Sequence, residues 1–425
     1  MKEPQAEEEE RPRTLRALGL GLITGAADDD PSAIGTYASA GAKFGPAFLW
    51  AAPFIFPMMF AVVYLSSKLG QVSGRGLFAA MRDQYPRWVV DVTLVGVLIG
   101  NTIEAAADIG GIAAAVELLV PIPRPVLVVL VAGLIFSLQL WGSYRLIRNV
   151  FRWLALTLLA YIGAAVLARP DLRDVLRHTF VPHIQLNREY LSLLVAIFGT
   201  TLSAYLYTWQ SNEEVEEEIA QGRIRLSERI GATEAELAAS RRDILFGVLF
   251  SNIVLYFIIL STGATLYRAG VHDIETAADA AKALRPLAGN AAGLLFALGV
   301  VGVGFISVPV MTTGAAYDLC QSLGWEAGLA QKPREGARFY GAIAFFTAVA
   351  VGMNFLGINP MRALVWAGIV QGFSTPPLMM LIMRMTNNRQ LMGDRVNGWA
   401  INVLGWTTVV VSFTATAGLV VTWFL

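Results

Sequence analysis

The stretch Gly25-Ala-Ala-Asp28-Asp29-Asp30-Pro31-Ser-Ala-Ile-Gly35 lies inside an otherwise apolar segment running from about Leu15 to Ala42. A charge at the depth of a lipid bilayer costs several kcal/mol. Pro31 has no N–H to give and disfavours helical geometry at Asp30. The pattern therefore predicts two half-helices separated by an unwound, acidic break. Irregular backbone at membrane depth is tolerated only where protein or a cavity surrounds it. The alternative is a helix N-cap at a membrane surface, with the helix beginning at residue 31. That reading leaves 34–42 too short to span and gives the apolar run 15–27 no role.

The break matters because the rest of the chain is apolar. Of its 425 residues 55% are hydrophobic and 15% charged, against about 25% charged in soluble domains, and its mean hydropathy is +0.56. The expectation is an all-α polytopic membrane protein in contact with the lipid bilayer. Eleven apolar segments are read, near 15–42, 46–69, 89–119, 124–141, 150–168, 191–219, 243–267, 290–320, 338–354, 360–384 and 397–425. The polar residues 1–14 form a tail expected to be disordered. Residues 15–425 form one transmembrane domain, with a first repeat at 15–168, a second at 191–384 and an additional helix at 397–425. The formal net charge of zero gives no argument for nucleic acid as a partner. The single cysteine, Cys320, excludes an intramolecular disulfide and a thiolate cluster. His178, His183 and His272 all fall in expected loops, which excludes a histidine metal site within the membrane.

Basic residues alternate between connections. Lys68, Arg75, Arg82 and Arg87 flank segments two and three. Arg145, Arg148 and Arg152 lie between four and five, Lys332, Arg334 and Arg338 between eight and nine, and Arg384, Arg389 and Arg395 between ten and eleven. The intervening loops hold Lys43, Arg124 and Arg362. The positive-inside rule puts the N-terminus in the cytoplasm and the C-terminus outside. The basic loop 169–190 then falls outside, against the trend. The glutamate-rich stretch 212–242 reads as a solvated helix continuing segment six.

Segment six has its own interruption, Phe198-Gly-Thr-Thr-Leu-Ser-Ala-Tyr205, marked by a glycine and hydroxyl residues. Two interrupted segments at corresponding places in two halves are the sequence pointer to a transporter site, and opposite insertion of the halves makes the repeats inverted. Asp28, Asp29 and Asp30, with carbonyls freed at the break, offer oxygen ligands only. Such ligands suit hard cations, and the negative end of the preceding half-helix favours a cation further. Carbonyls near Thr200 and the hydroxyls of Thr201 and Ser203 are expected to face the same cavity. Asn101, Glu104 and Asp108 fall at i, i+3 and i+7 and share one helix face. They either line the path or build a polar network between helices. Gln371 and Ser374, beside Pro376-Pro377 in segment ten, are lesser candidates. Nothing in the pattern points to an enzyme, a catalytic residue or a cofactor.

These residues resemble the Nramp family of divalent metal transporters, over nearly the whole chain. The family's Asp-Pro-Gly-Asn signature reads here Asp30-Pro31-Ser32-Ala33, followed by Ala40-Gly41-Ala-Lys-Phe44-Gly45. Tyr64-Leu-Ser-Ser-Lys68-Leu-Gly70 with Gly74-Arg75-Gly-Leu77, Ala168-Arg-Pro170 and Leu391-Met-Gly393 also fit. The resemblance implies a LeuT-type fold with helices 1 and 6 broken. The departures lie at the implied site. Ser203-Ala204-Tyr205 stands where the family has Met-Pro-His, Ala33 replaces the asparagine ligand, Gly111 follows Asp108 in place of an acid, and Ser374 aligns with a glutamine. With Thr200-Thr-x-Ser-x-Tyr, Trp209-Gln210 and Glu213-Glu214, the pattern is most similar to the Nramp-related magnesium transporter branch, which usually has proline at the position of Ala204.

That resemblance implies transport of partly hydrated Mg²⁺ without proton coupling, and Mn²⁺ is a further expected substrate. Asp30 is the expected main ligand. The Thr200 carbonyl takes the place of a family alanine carbonyl, and Asp29 and Ser203 are close candidates. Asp28, Ala33, Thr201, Tyr205, Asn101, Glu104, Asp108, Gln371 and Ser374 complete the expected surroundings and pathway. Alternatives are a proton-coupled Mn²⁺ or Fe²⁺ symporter, an organic-solute transporter on the same fold, and a membrane metal sensor.

Overall fold

A computed structural model describes residues 20–141, 156–329 and 333–424. The expected tail, Arg145, Arg148, Arg152 and Lys332 lie outside these residues. In chain order the described α-helices of eight residues or more are α1 (Leu20–Asp28), α2 (Pro31–Phe44), α3 (Ala51–Ser73), α4 (Leu77–Gln84), α5 (Arg87–Glu117), α6 (Arg124–Trp141), α7 (Ala160–Leu167), α8 (Leu172–Phe180), α9 (Arg188–Thr201), α10 (Ala204–Ala220), α11 (Glu234–Thr262), α12 (Ala292–Leu323), α13 (Ala337–Met353), α14 (Pro360–Thr386) and α15 (Trp399–Val421). No strand occurs among the described residues. Nine spans among them are long and apolar enough to cross a membrane. The broken first helix and the short apolar helix at Thr157–Leu167 account for the other two expected segments.

Both breaks form. At the first, Asp30 is extended (φ −62°, ψ 169°), Pro31 opens α2, and the Asp30 carboxylate accepts the Ala33 N–H at 2.6 Å. The N-cap alternative was thus right about the cap and wrong about its place. Asp30 caps α2 while fully buried among helices, and α1 continues the segment on the other side. At the second break no proline is needed. Leu202 (φ −109°, ψ 39°) and Ser203 (φ −69°, ψ 141°) leave helical geometry and α10 starts afresh.

The half-helices are held at close range by glycine. A Cβ on Gly25 of α1 would sit 2.2 Å from the Gly247 carbonyl oxygen of α11. A Cβ on Gly199 of α9 would sit 1.8 Å from the Gly368 carbonyl oxygen of α14. Only glycine lets the backbones approach this closely, which is the means by which membrane helices pack without a hydrophobic drive. Helix α14 runs through Pro376 and Pro377. The Gly372 carbonyl, which Pro376 leaves without its helical donor, accepts instead from the Thr416 hydroxyl of α15 at 3.1 Å.

Two expectations are corrected. The glutamate-rich stretch is not a solvated helix. α10 ends at Ala220, and Glu213, Glu214 and Glu218 are buried. The reason is visible at Glu214, whose Oε1 accepts from Ser67 of α3 (2.7 Å), Gln210 (2.8 Å) and Ser240 of α11 (3.1 Å), so neutral donors from neighbouring helices satisfy it. Likewise 169–190 is not wholly loop, since α8 occupies Leu172–Phe180 and carries His178.

Gly199→Val is expected to lower the thermal unfolding midpoint of the purified protein, as overpacking by about 1–3 kcal/mol would. Gly96→Val, where nothing lies within 4 Å of an added Cβ, is expected to leave it unchanged, and equal midpoints would contradict the close crossing.

Candidate cation site at the two helix breaks

The three aspartates of the first break do not act as one group. Asp30 turns toward α10, where its Oδ2 lies 3.0 Å from the Tyr205 hydroxyl. Asp28 and Asp29 turn toward α11, where the Ser251 hydroxyl bonds Asp28 Oδ2 and approaches Asp29 Oδ1 at 3.3 Å. Asp28 Oδ1 and Asp29 Oδ2 are buried without a hydrogen-bond partner. The Tyr205 hydroxyl also lies 2.7 Å from the Ala27 carbonyl. It has one proton for two acceptors, one at each side of the break. A cation on Asp30 would release that proton to Ala27.

Helix α5 brings its acids to the same region, as the i, i+3, i+7 spacing predicted. Asp108 Oδ1 accepts from both the backbone N–H (2.9 Å) and hydroxyl (2.6 Å) of Ser32, one residue beyond Pro31, and Oδ2 accepts from Ser307 of α12 at 3.2 Å. Glu104 Oε2 accepts from Ser203 at 3.0 Å and Gln371 at 2.7 Å, while its Oε1 is buried without a partner. Gln371 also donates to Asn101 at 3.1 Å, and Ser374 donates to Gln371 Oε1 at 3.1 Å. Asn101, Glu104 and Gln371 therefore form a buried network that reaches the second break through Ser203, while Asp108, on the same helix, reaches the first break through Ser32.

Ser203 begins α10 yet makes no side-chain cap, because its hydroxyl goes to Glu104. Thr201 pairs with Tyr37 of α2 at 2.8 Å. The Thr200 hydroxyl turns back to the Ala196 carbonyl at 3.0 Å. At the end of α9 the Phe198 carbonyl accepts from Leu202. The carbonyls after it, Thr200 among them, lie in the terminal turn, where helix geometry provides no partner. Ala33 contributes only its N–H to Asp30.

Asp28, Asp29, Asp30, Glu104 and Asp108 are all fully buried. None of them joins the ion pairs found among the described residues. Among those residues no three His, Cys, Asp or Glu side chains converge closely enough to cage an ion. An ion here would thus be met by few carboxylates, with carbonyls, hydroxyls and water completing its shell. Sequence reasoning missed Ser32, Tyr37, Ser251 and Ser307. Ser32 was flagged only by its place after Pro31, and nothing in segment seven distinguishes Ser251 as a partner for Asp28.

Two broken helices facing each other across a buried polar centre define a secondary-transporter fold of the LeuT type, in an integral membrane protein. The chain belongs to the natural resistance-associated macrophage protein-like family, whose model matches residues 21–422. It is 26% identical over 414 residues to the divalent metal cation transporter MntH of Yersinia enterocolitica, covering 94% of each chain. It is 26% identical over 405 residues to MntH of Deinococcus radiodurans, covering 94% of this chain and 88% of the relative. Its fold is similar to that of the Eremococcus coleocola manganese transporter, with TM-score 0.75 at 17% identity, covering 100% of this chain and 90% of that one. It is also similar to the nucleobase-cation-symport transporter Mhp1 in a closed conformation, with TM-score 0.56 at 12% identity, covering 96% and 93%.

Tyr205→Phe removes the one donor shared by Ala27 and Asp30. It is expected to destabilise the ion-free protein by about 1–3 kcal/mol, read as a lower unfolding midpoint. Millimolar Mg²⁺ or Mn²⁺ is expected to raise that midpoint in the variant, and a variant indifferent to both ions would contradict the placement of a cation on Asp30.

Proposed function

We propose that this protein carries divalent metal cations across a membrane by alternating access, with Mg²⁺ as the main substrate and Mn²⁺ also carried. One observation supports the transport reading most. Five carboxylates lie fully buried at and between two helix breaks, and none is ion-paired among the described residues. A buried charge without a partner is strongly unfavourable, so such a site calls for a cation or for protons. Membership of a family whose relatives are named divalent metal cation transporters agrees with the cation.

Asp30 is the proposed main ligand, because it alone of the three aspartates faces the second break. The Thr200 carbonyl, Asp29 and Ser203 are the proposed further oxygen donors. The preference for Mg²⁺ is supported by composition. Neither break offers a thioether, thiol or imidazole, and small Ala33 and Ser203 leave room for the waters that Mg²⁺ gives up reluctantly. Transport without proton coupling is supported by Tyr205, a poor proton carrier near neutral pH, at the position where the resemblance places a histidine. In the orientation proposed, the N-terminus and the α10, α12 ends lie on the cytoplasmic side, and uptake is a rocking of half-helices about the breaks.

A second reading, proton-coupled Mn²⁺ or Fe²⁺ symport, is favoured by the chain of acids Asp30, Asp108 and Glu104, which offers a proton route. Uptake of Mg²⁺, Mn²⁺ and Fe²⁺ into proteoliposomes with an internal pH dye separates the two. The expected result is Mg²⁺ and Mn²⁺ uptake without acidification, reduced at least about tenfold in Asp30→Ala, in keeping with the loss of a group that orders a metal site. Mn²⁺ uptake that excludes Mg²⁺ and acidifies the lumen would establish the symporter instead.

A further inference from the structure

Asp318 of α12 is fully buried and lies outside the site described above. It joins no ion pair among the described residues, and the polar group set toward it is the Thr208 hydroxyl of α10, which is shared with the Tyr205 carbonyl at 3.2 Å. The arginines at the end of α12 bond elsewhere: Arg82 donates to the Gln321 carbonyl at 3.1 Å, and Arg87, which also pairs with Asp91, donates to the Ser322 carbonyl at 2.6 Å. A buried carboxylate met by one shared hydroxyl and by no cationic partner among the described residues is costly unless a cation neutralises it.

The surroundings supply room and oxygen. One turn before Asp318 stands Gly314, and the Thr208 hydroxyl oxygen, at 3.6 Å, is the neighbouring atom within 4 Å of where its Cβ would be. The missing side chain leaves a gap between α10 and α12 beside the carboxylate. Tyr205, Thr208 and Asn212 fall at i, i+3 and i+7 on α10, and Gly314, Asp318 and Gln321 fall at i, i+4 and i+7 on α12, so each set shares one helix face. The two faces meet, since Gln321 donates to Asn212 at 2.6 Å. The seam starts at Tyr205, which touches Asp30. It passes Asp318 and becomes partly exposed at Gln321, one turn later.

We infer that Asp318, with the Thr208 hydroxyl and the space left by Gly314, forms a second divalent-cation site on the cytoplasmic half of the path, which an ion occupies between Asp30 and solution. This inference rests on the reading of the chain as a divalent-cation carrier. A carboxylate with neutral oxygens and water suits a hydrated hard cation and holds it loosely enough to release it. Conduction through successive sites needs this balance.

Counting bound Mn²⁺ on the full-length purified protein, through loss of the free-ion paramagnetic resonance signal, tests it. Wild type is expected to bind two ions, Asp30→Ala one and Asp318→Asn one, while Asp318→Glu, which keeps the charge, retains two. Two ions on Asp318→Asn, or one on wild type, would overturn the second site. Two ions on Asp30→Ala with one on Asp318→Asn would overturn the Asp30 assignment and leave the second site standing. If Asp318→Asn fails to elute as a folded species, Thr208→Val decides. It is expected to weaken the second Mn²⁺ about tenfold, and unchanged affinity would overturn the proposal.

Discussion

The burial of carboxylates without cationic partners is the constraint on which the rest of this structure depends. Asp28, Asp29, Asp30, Glu104 and Asp108 occupy the centre, and hydroxyl, amide and backbone donors are what meet them. Neutral donors lower the cost of burying a carboxylate but do not cancel its charge. An arginine or lysine at the same place would fill the site permanently. Hydroxyls from Ser32, Ser203, Tyr205, Ser251 and Ser307 instead position the carboxylates while leaving the charge to be met by something that comes and goes.

The helix breaks follow from the same need. A continuous helix satisfies its own backbone and offers a passing ion only side chains. Breaking α1 from α2 and α9 from α10 leaves backbone carbonyls at the helix ends without intrahelical donors. The breaks are stabilised differently. At the first, proline and an aspartate cap fix the geometry locally. At the second, Ser203 gives its hydroxyl to Glu104, so the break is tied to α5 rather than capped from within. Each break is thus tied to an acid of α5, the second by Ser203 on Glu104 and the first by Ser32 on Asp108. Glycine crossings such as Gly25 on Gly247 and Gly199 on Gly368 hold the half-helices close to their neighbours.

Family membership and site composition carry different information here. The match over residues 21–422 establishes common architecture. The residues at the second break, Ser203-Ala204-Tyr205, present hydroxyl oxygen and neither sulfur nor imidazole, and oxygen ligands suit harder metals.

Much of the architecture was legible in the sequence, because its causes are local. Asp30-Pro31 dictates a break wherever it falls in an apolar run, and apolar runs of spanning length dictate helices. The face shared by Asn101, Glu104 and Asp108 follows from helical periodicity alone. Partners were not legible. The sequence shows three adjacent aspartates but not that Asp30 turns to α10 while Asp28 and Asp29 turn to α11, because that depends on which helix lies on each side. It shows a run of glutamates that looks solvated, and only the packing of α3 and α11 against α10 buries Glu214 among neutral donors. It shows Asp318 as one acid near a helix end, with no sign that it is buried against Thr208 of α10 without an ion-pair partner among the described residues. The sequence by itself determined where charge sits along the chain and where helices must stop. The tertiary structure decided what each charge faces, since a long-range hydrogen bond or its absence depends on residues up to hundreds of positions away.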